Sequence, residues 1–84
     1  MTRLLSLRKN ILMILERCEP YALPERQLKL ELDGSIRPPA ALAEFEDALS
    51  FLNIRKHILT VPDPLDEQNV KWTITETGKA MLRQ

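Results

Sequence analysis

The sequence predicts a mainly α-helical domain with a small antiparallel β-hairpin, in the order three helices, two strands and a short C-terminal helix. Three observations predict it. Apolar residues recur at helical spacing from Leu4 to Cys18 and from Ala41 to Leu52; Val70, Trp72 and Ile74 alternate with Lys71, Thr73 and Thr75; and Thr75-Glu76 has the chemistry of a helix start. A period of 3.6 residues directs one stripe of a helix at a core, whereas a period of two directs alternate side chains at one face of a sheet.

In the first helix Leu4, Leu7, Ile11, Ile14, Leu15 and Cys18 share one side, with Lys9, Asn10, Glu16 and Arg17 opposite. Leu5 and Leu12 widen the apolar arc and Met13 falls on the polar side, so the helix has more apolar surface than one core contact needs. Glu19-Pro20 ends it, because proline disfavours the helical region for its predecessor and cannot donate to the ladder. Tyr21 to Leu23 is a short extended piece. Pro24 suits the first turn of a second helix, on which Leu28 and Leu32 lie one turn apart, and Gly34 can close that helix in the left-handed conformation. Leu28 to Leu32 also alternates with period two and runs into Asp33-Gly34, a hairpin signal, so a strand stays open there.

Pro39 begins a third helix that runs to about Asn53. Its inward stripe is Ala41, Leu42, Phe45, Ala48, Leu49 and Leu52. Its outward face is Ala40, Ala43, Glu44, Glu46, Asp47, Ser50 and Phe51. Arg55, Lys56 and His57 follow, where the helix dipole favours positive charge. His57 to Val61 and Val70 to Ile74 are the hairpin strands, joined by an exposed loop from Pro62 to Asn69 whose prolines and acids do not extend a ladder. Thr75 caps the last helix and Glu76 faces the positive end of its dipole.

A chain of 84 residues holds one domain, spanning 1–84, and 44% hydrophobic residues supply one compact core. A domain of this size buries only about 60 to 65% of its unfolded surface, so its stability margin is thin. Twelve Lys and Arg balance twelve Asp and Glu, so no bulk positive field attracts nucleic acid, and any DNA contact rests on local patches. Cys18, the lone cysteine, excludes an internal disulfide, fits a reducing, cytoplasmic setting and reads as a small buried apolar residue. Arg8, Lys9 and Asn10 interrupt the N-terminal apolar run, so it is not a signal peptide, and no stretch has the length of a membrane span.

The segment Val70-Lys71-Trp72-Thr73-Ile74-Thr75-Glu76-Thr77-Gly78-Lys79-Ala80 resembles the ending of winged helix-turn-helix domains in bacterial regulators. There an aromatic-x-Ile-Thr strand runs into a Thr-Glu-x-Gly helix start. The order of elements resembles that superfamily over nearly the whole chain. The resemblance implies that the third helix enters the major groove of DNA and that the loop from Pro62 to Asn69 is the wing along the phosphates. This sequence departs from that pattern: Glu44, Glu46 and Asp47 stand on the outward helix face without a base, and Asp63, Asp66 and Glu67 stand in the wing. Acids repel phosphate, and guanine is read mainly by Arg or Lys.

No catalytic constellation is present. His57 is the lone histidine, has no motif partner and reads as a solvated or capping residue with part of its surface exposed. The acids lack the ligand spacing and turn glycine of a calcium loop, so no metal or cofactor is expected. The sequence therefore favours a non-enzymatic winged-helix module acting in protein association, homodimers included, in a transcription-regulatory setting. The candidate surface is Leu5, Leu12, Met13, Glu44, Asp47 and Phe51, with Phe51 either half-covered by the wing or an interface anchor. The alternative is a DNA-binding regulator domain whose backbone contacts are Arg37, Arg55, Lys56 and Lys71.

Overall fold

A computed structural model describes residues 2–84. The elements are α1 (Arg3–Cys18), β1 (Leu23–Pro24), α2 (Glu25–Ser35), α3 (Leu42–Ile54), β2 (Ile58–Asp63), β3 (Asp66–Ile74) and α4 (Glu76–Leu82). This is winged-helix architecture: a helical layer with an antiparallel sheet of order β1-β3-β2 at its side.

The long helix α1 starts where Thr2 Oγ1 accepts the Leu5 N–H at 3.3 Å and buries Leu7, Ile11, Leu12, Ile14 and Leu15. Around it gather Leu28 and Leu32 of α2, Phe45, Ala48, Leu49 and Leu52 of α3, and Ile58, Trp72 and Ile74 of the sheet, all in one core. Leu15, Phe45, Leu49, Leu52, Trp72 and Ile74 thus share that core as the inward stripes require. Cys18 is half-buried at its margin.

Residues 28–32 are helical, which resolves the strand alternative. The core takes Leu28 and Leu32, both fully buried, and leaves Leu30 61% exposed, a selection that helical spacing makes and alternation does not. Gly34 lies within the last turn without a positive φ, contrary to the expected left-handed closure. The helix stops instead because Ile36 turns extended, buries its side chain and donates its N–H to the Leu32 carbonyl at 3.1 Å.

Three other expectations are corrected. The third helix begins at Leu42 and not at Pro39, since residues 38–41 stay outside it after two prolines. That later start places Ala40 in the core and leaves Ala41 and Leu42 exposed, the reverse of the periodic assignment. The sheet has a third strand, because Leu23 and Pro24 pair with Trp72 and Lys71; Pro24 is tolerated on this edge, where one N–H side needs no partner. The hairpin also runs on through most of the segment expected to be a loop. Val61 pairs with Lys71 and Asp63 with Asp66, with the register irregular around Pro62, so that only Pro64 and Leu65 lie between the strands.

At the sheet's far end Thr75 Oγ1 accepts the Gly78 N–H at 3.1 Å and donates to the Lys56 carbonyl at 2.6 Å, so the α4 cap is also a staple to the end of α3. Gly78 has no room for a side chain: a Cβ there would fall on the His57 carbonyl oxygen and within 2.8 Å of Ile74 Cγ1.

Truncating fully buried Phe45 to alanine is expected to cost about 3–5 kcal/mol, read from urea unfolding curves. The two glycines should respond oppositely. Gly78→Ala forces backbone against backbone and should destabilise by about 1–3 kcal/mol. Gly34→Ala meets nothing within 4 Å and should stabilise α2 by about 0.5–1 kcal/mol. Equal melting shifts for the two variants would contradict the close approach at Gly78.

Candidate functional site

The helix-turn-helix pair is α2 and α3, and the solvent face of α3 carries Leu42, Ala43, Glu46, Asp47, Ser50 and Ile54. Leu42 is 65% and Ile54 72% exposed, so this face is apolar at both ends and acidic in its middle.

Glu44, expected on that face, is turned away from it. Its Oε2 receives the Arg3 Nε–H at 2.9 Å, and its Oε1 receives Arg3 Nη2 at 3.2 Å and the Ala41 N–H at 3.0 Å. Arg3 Nη2 also donates to the Pro38 and Pro39 carbonyls at 2.9 and 3.3 Å. Ala41 has no side-chain acceptor, so the carboxylate supplies only half of a capping box. The Arg3 hydrogen bonds, with the Ala41 N–H second, hold the Glu44 pKa at about 2, below its ordinary 4.5. Glu44 is therefore a clamp between α1 and the start of α3, and only Glu46 and Asp47 remain as acids on the α3 face.

The four bases proposed for DNA backbone contact sit on different elements. Arg37 is exposed after α2 and donates to the Asp33 carbonyl at 2.8 Å. Lys56 is exposed just beyond α3, in the left-handed region at φ 62°. Lys71 is half-buried on β3 opposite Val61. Arg55 is drawn elsewhere: its Cζ lies 3.6 Å from the centroid of Phe51. Sequence reasoning passed over Arg26, which is exposed in the first turn of α2 beside an open cleft of about 680 Å³ between α2, the start of α3 and β3. In that cleft Glu25 accepts the Trp72 indole N–H at 2.9 Å.

A second groove, of about 360 Å³, opens between α1, the end of α3 and α4. Arg8 of α1 stacks on Phe51 at 3.3 Å, so together with Arg55 two guanidinium groups contact this one ring. Phe51 is half-buried, with both guanidinium groups against its ring. Leu5, Met81 and Leu82 add apolar lining and Lys9 a third cation. Of the candidate interaction residues, Leu5 and Met13 are exposed at 51% and 47%, and Asp47 is exposed on α3. Leu12 is corrected: at 4% exposure it belongs to the core, since α3 and α4 cover the broad side of α1.

His57 is also corrected, being 8% exposed. Its backbone N–H donates to the Leu52 carbonyl at 2.9 Å and its carbonyl accepts the Thr75 N–H at 3.0 Å, which draws the residue inward. Its Nδ1 is buried without a partner, and no carboxylate bonds the ring among the described residues, so it lacks the orienting group of a general base. No cluster of three metal-ligating side chains is present among the described residues, and no helix there is long and apolar enough to cross a membrane. The groove as a whole was not legible in the sequence, because nothing in the spacing couples position 8 of α1 with positions 51, 55 and 57; the surplus apolar residues Leu5 and Leu12 and an aromatic on an otherwise outward stripe were the signals.

No family model and no curated protein matches this sequence. Among solved structures the chain is similar to a cysteine-to-serine mutant of ZitR from Lactococcus lactis, with a TM-score of 0.73 and 22% identity over 93% of this chain and 47% of that one. It is similar to the PcaV transcriptional regulator from Streptomyces coelicolor, solved with its natural ligand, at TM-score 0.70 and 22% identity over 90% and 48% of the two chains. The adhesin competence repressor AdcR from Streptococcus pyogenes gives 0.72 and 19% identity over 99% and 52%. These likenesses establish the winged helix-turn-helix fold. The chain spans about half the length of each of these structures.

The Glu44 clamp gives a pH prediction. Because its folded pKa is depressed from 4.5 to about 2, its contribution is complete above the ordinary value and is lost as pH falls toward the folded one. Thermal melts across that acid range should therefore decline less steeply for Glu44→Gln than for the parent chain. Parallel curves would show that the clamp adds nothing to stability.

Proposed function

We propose that residues 1–84 form one winged-helix domain that binds duplex DNA in a transcription-regulatory setting, without catalysis, by placing α3 in the major groove. The observation that carries this reading is the uncovered face of α3, from which Glu44 has been withdrawn into the clamp with Arg3. Similarity to structures of a transcriptional regulator and a repressor supports it. The sequence alone ranks protein association first because three acids face outward; with Glu44 engaged, two remain.

Those two suit base reading better than backbone binding. A carboxylate accepts from the cytosine N4 amino group, and the Ser50 hydroxyl reads either sign of partner. Backbone contacts fall to Arg26 on α2, to Arg37 and Lys56 on either side of α3, and to Lys71 at the base of the wing. The acidic wing tip stays off the phosphates. About four phosphate contacts imply a salt slope near −3.6 in log–log form, shallow for a DNA binder, with weak affinity for random duplex. Protein association uses a different face, the basic groove beside α1.

Enrichment of the domain on a random duplex library at low salt, followed by titration of the selected site, tests the reading. Lys56→Ala should weaken all sequences alike and reduce the salt slope by about one. Asp47→Ala should relax preference at one position of the site by about 1–3 kcal/mol. No enrichment, together with no binding tighter than about 10⁻⁴ M, the weak end of non-specific affinity, would exclude this function.

A further inference from the structure

The wing tip and the basic groove are complementary in charge, and each carries exposed apolar surface. At the tip Leu65 is 95% exposed on a turn fixed by its own hydrogen bonds. Asp63 accepts from the Leu65 N–H at 2.9 Å and from the Asn69 side-chain amide at 3.0 Å, and Asp66 accepts from the Gln68 N–H at 3.0 Å. A leucine presented this way loses little conformational freedom on docking. Asp66 and Glu67 flank it, exposed and without a cation among the described residues.

The groove offers the converse. Leu5, Met81 and Leu82 give it apolar lining, and Arg8, Lys9 and Arg55 line it without a carboxylate partner among the described residues. Against it lies the unpartnered Nδ1 of His57, a side chain more than nine-tenths buried. Arg8 Nε is likewise buried without an acceptor. Within one chain tip and groove do not meet, since Leu65 stays in solvent.

We infer that the wing tip of one copy docks in the basic groove of a second copy, with Leu65 on the apolar lining and Asp66 and Glu67 against Arg8, Lys9 and Arg55. This goes beyond the DNA-binding reading and does not depend on it. The contact joins two different patches, so mutual insertion closes a two-fold dimer and one-way insertion builds a head-to-tail chain. A hairpin tip buries less than a standard interface, so the dissociation constant falls roughly between 10⁻⁵ and 10⁻³ M, and salt weakens it.

Sedimentation of the full chain from low micromolar to about 1 mM, bracketing that range, tests the contact. The parent chain should gain mass with concentration. Leu65→Asp at the tip, and Lys9→Glu with Arg55→Glu in the groove, should each weaken association at least about tenfold. A 1:1 mixture of the two variants should regain a mixed complex, because one intact tip then meets one intact groove. Should the groove variant unfold, Asp66→Lys with Glu67→Lys on the exposed tip tests the same charge pairing. A parent chain monomeric at about 1 mM, or association that the tip variants leave unchanged, overturns the inference. DNA binding is titrated with Leu65→Asp beside the parent chain, since that variant alters the tip and none of the residues proposed for DNA, so the two readings fail separately.

Discussion

The burial of one broad face of α1 constrains everything else, because α2, α3, α4 and β3 each pack on it. Five of its side chains are buried, and burying a leucine or isoleucine contributes about 1.5–3 kcal/mol relative to exposure. For a domain with a thin margin that helix is the main source of stability. It also fixes the angle at which α3 leaves the core, and hence the point at which the chain turns through Lys56 into β2. There the His57 carbonyl accepts from Thr75 while Gly78 packs on it, so the end of α3, the sheet and α4 close on one backbone group. A side chain at position 78 would push these three apart together.

Charge does the orienting that apolar contact leaves undetermined. Ala48, Leu49 and Leu52 say which side of α3 points inward but not how its first turn is held. Arg3 does that, by reaching from α1 to Glu44 and to the carbonyls of Pro38 and Pro39. The acid expected to repel DNA thereby becomes a cap and a clamp. At the other end of the same helix the cations Arg8 and Arg55 stack on Phe51 without a carboxylate, favoured by the ring's negative face. One end of α3 is neutralised and the other is left positive.

Periodicity made most of the fold legible. The stripes of α1, of the second half of α3 and of β3 were readable because each buries side chains at the period of its own element. It failed where the backbone leaves the regular path. Extending the 3.6 period back through Pro38-Pro39 put Leu42 inside and Ala40 outside, whereas the extended segment there reverses them. Prolines in 62–69 suggested a loop, yet an edge strand with an irregular register absorbs Pro62, and Asn69 bonds Asp63 across the hairpin. Pairing of Leu23 with Trp72 spans 49 positions, and no local pattern announces so distant a bridge. Of the candidate surface, Leu5, Met13 and Asp47 are exposed as a helical projection places them, whereas Leu12 is core, Phe51 is half-buried and Glu44 is turned to Arg3. Each of those three is held by a partner far away in sequence or by several elements at once, which a single-helix projection does not contain.

The wing then divides along its length. Near the sheet, Lys71 lies on the outer face opposite Val61, where a cation can approach a phosphate. At its end Asp63, Asp66 and Glu67 surround an exposed leucine, a combination that phosphate repels and that water solvates poorly. A tip evolved for DNA would carry the opposite charge, and a tip evolved only for solubility would not carry leucine. Both features find their complement on the same molecule, in a groove with apolar lining and unpaired cations between α1, the end of α3 and α4. Binding DNA and binding a second copy therefore make demands on different residues. The three acids of the tip and the three bases of the groove cancel, so the zero net charge of the chain conceals two surfaces of opposite sign.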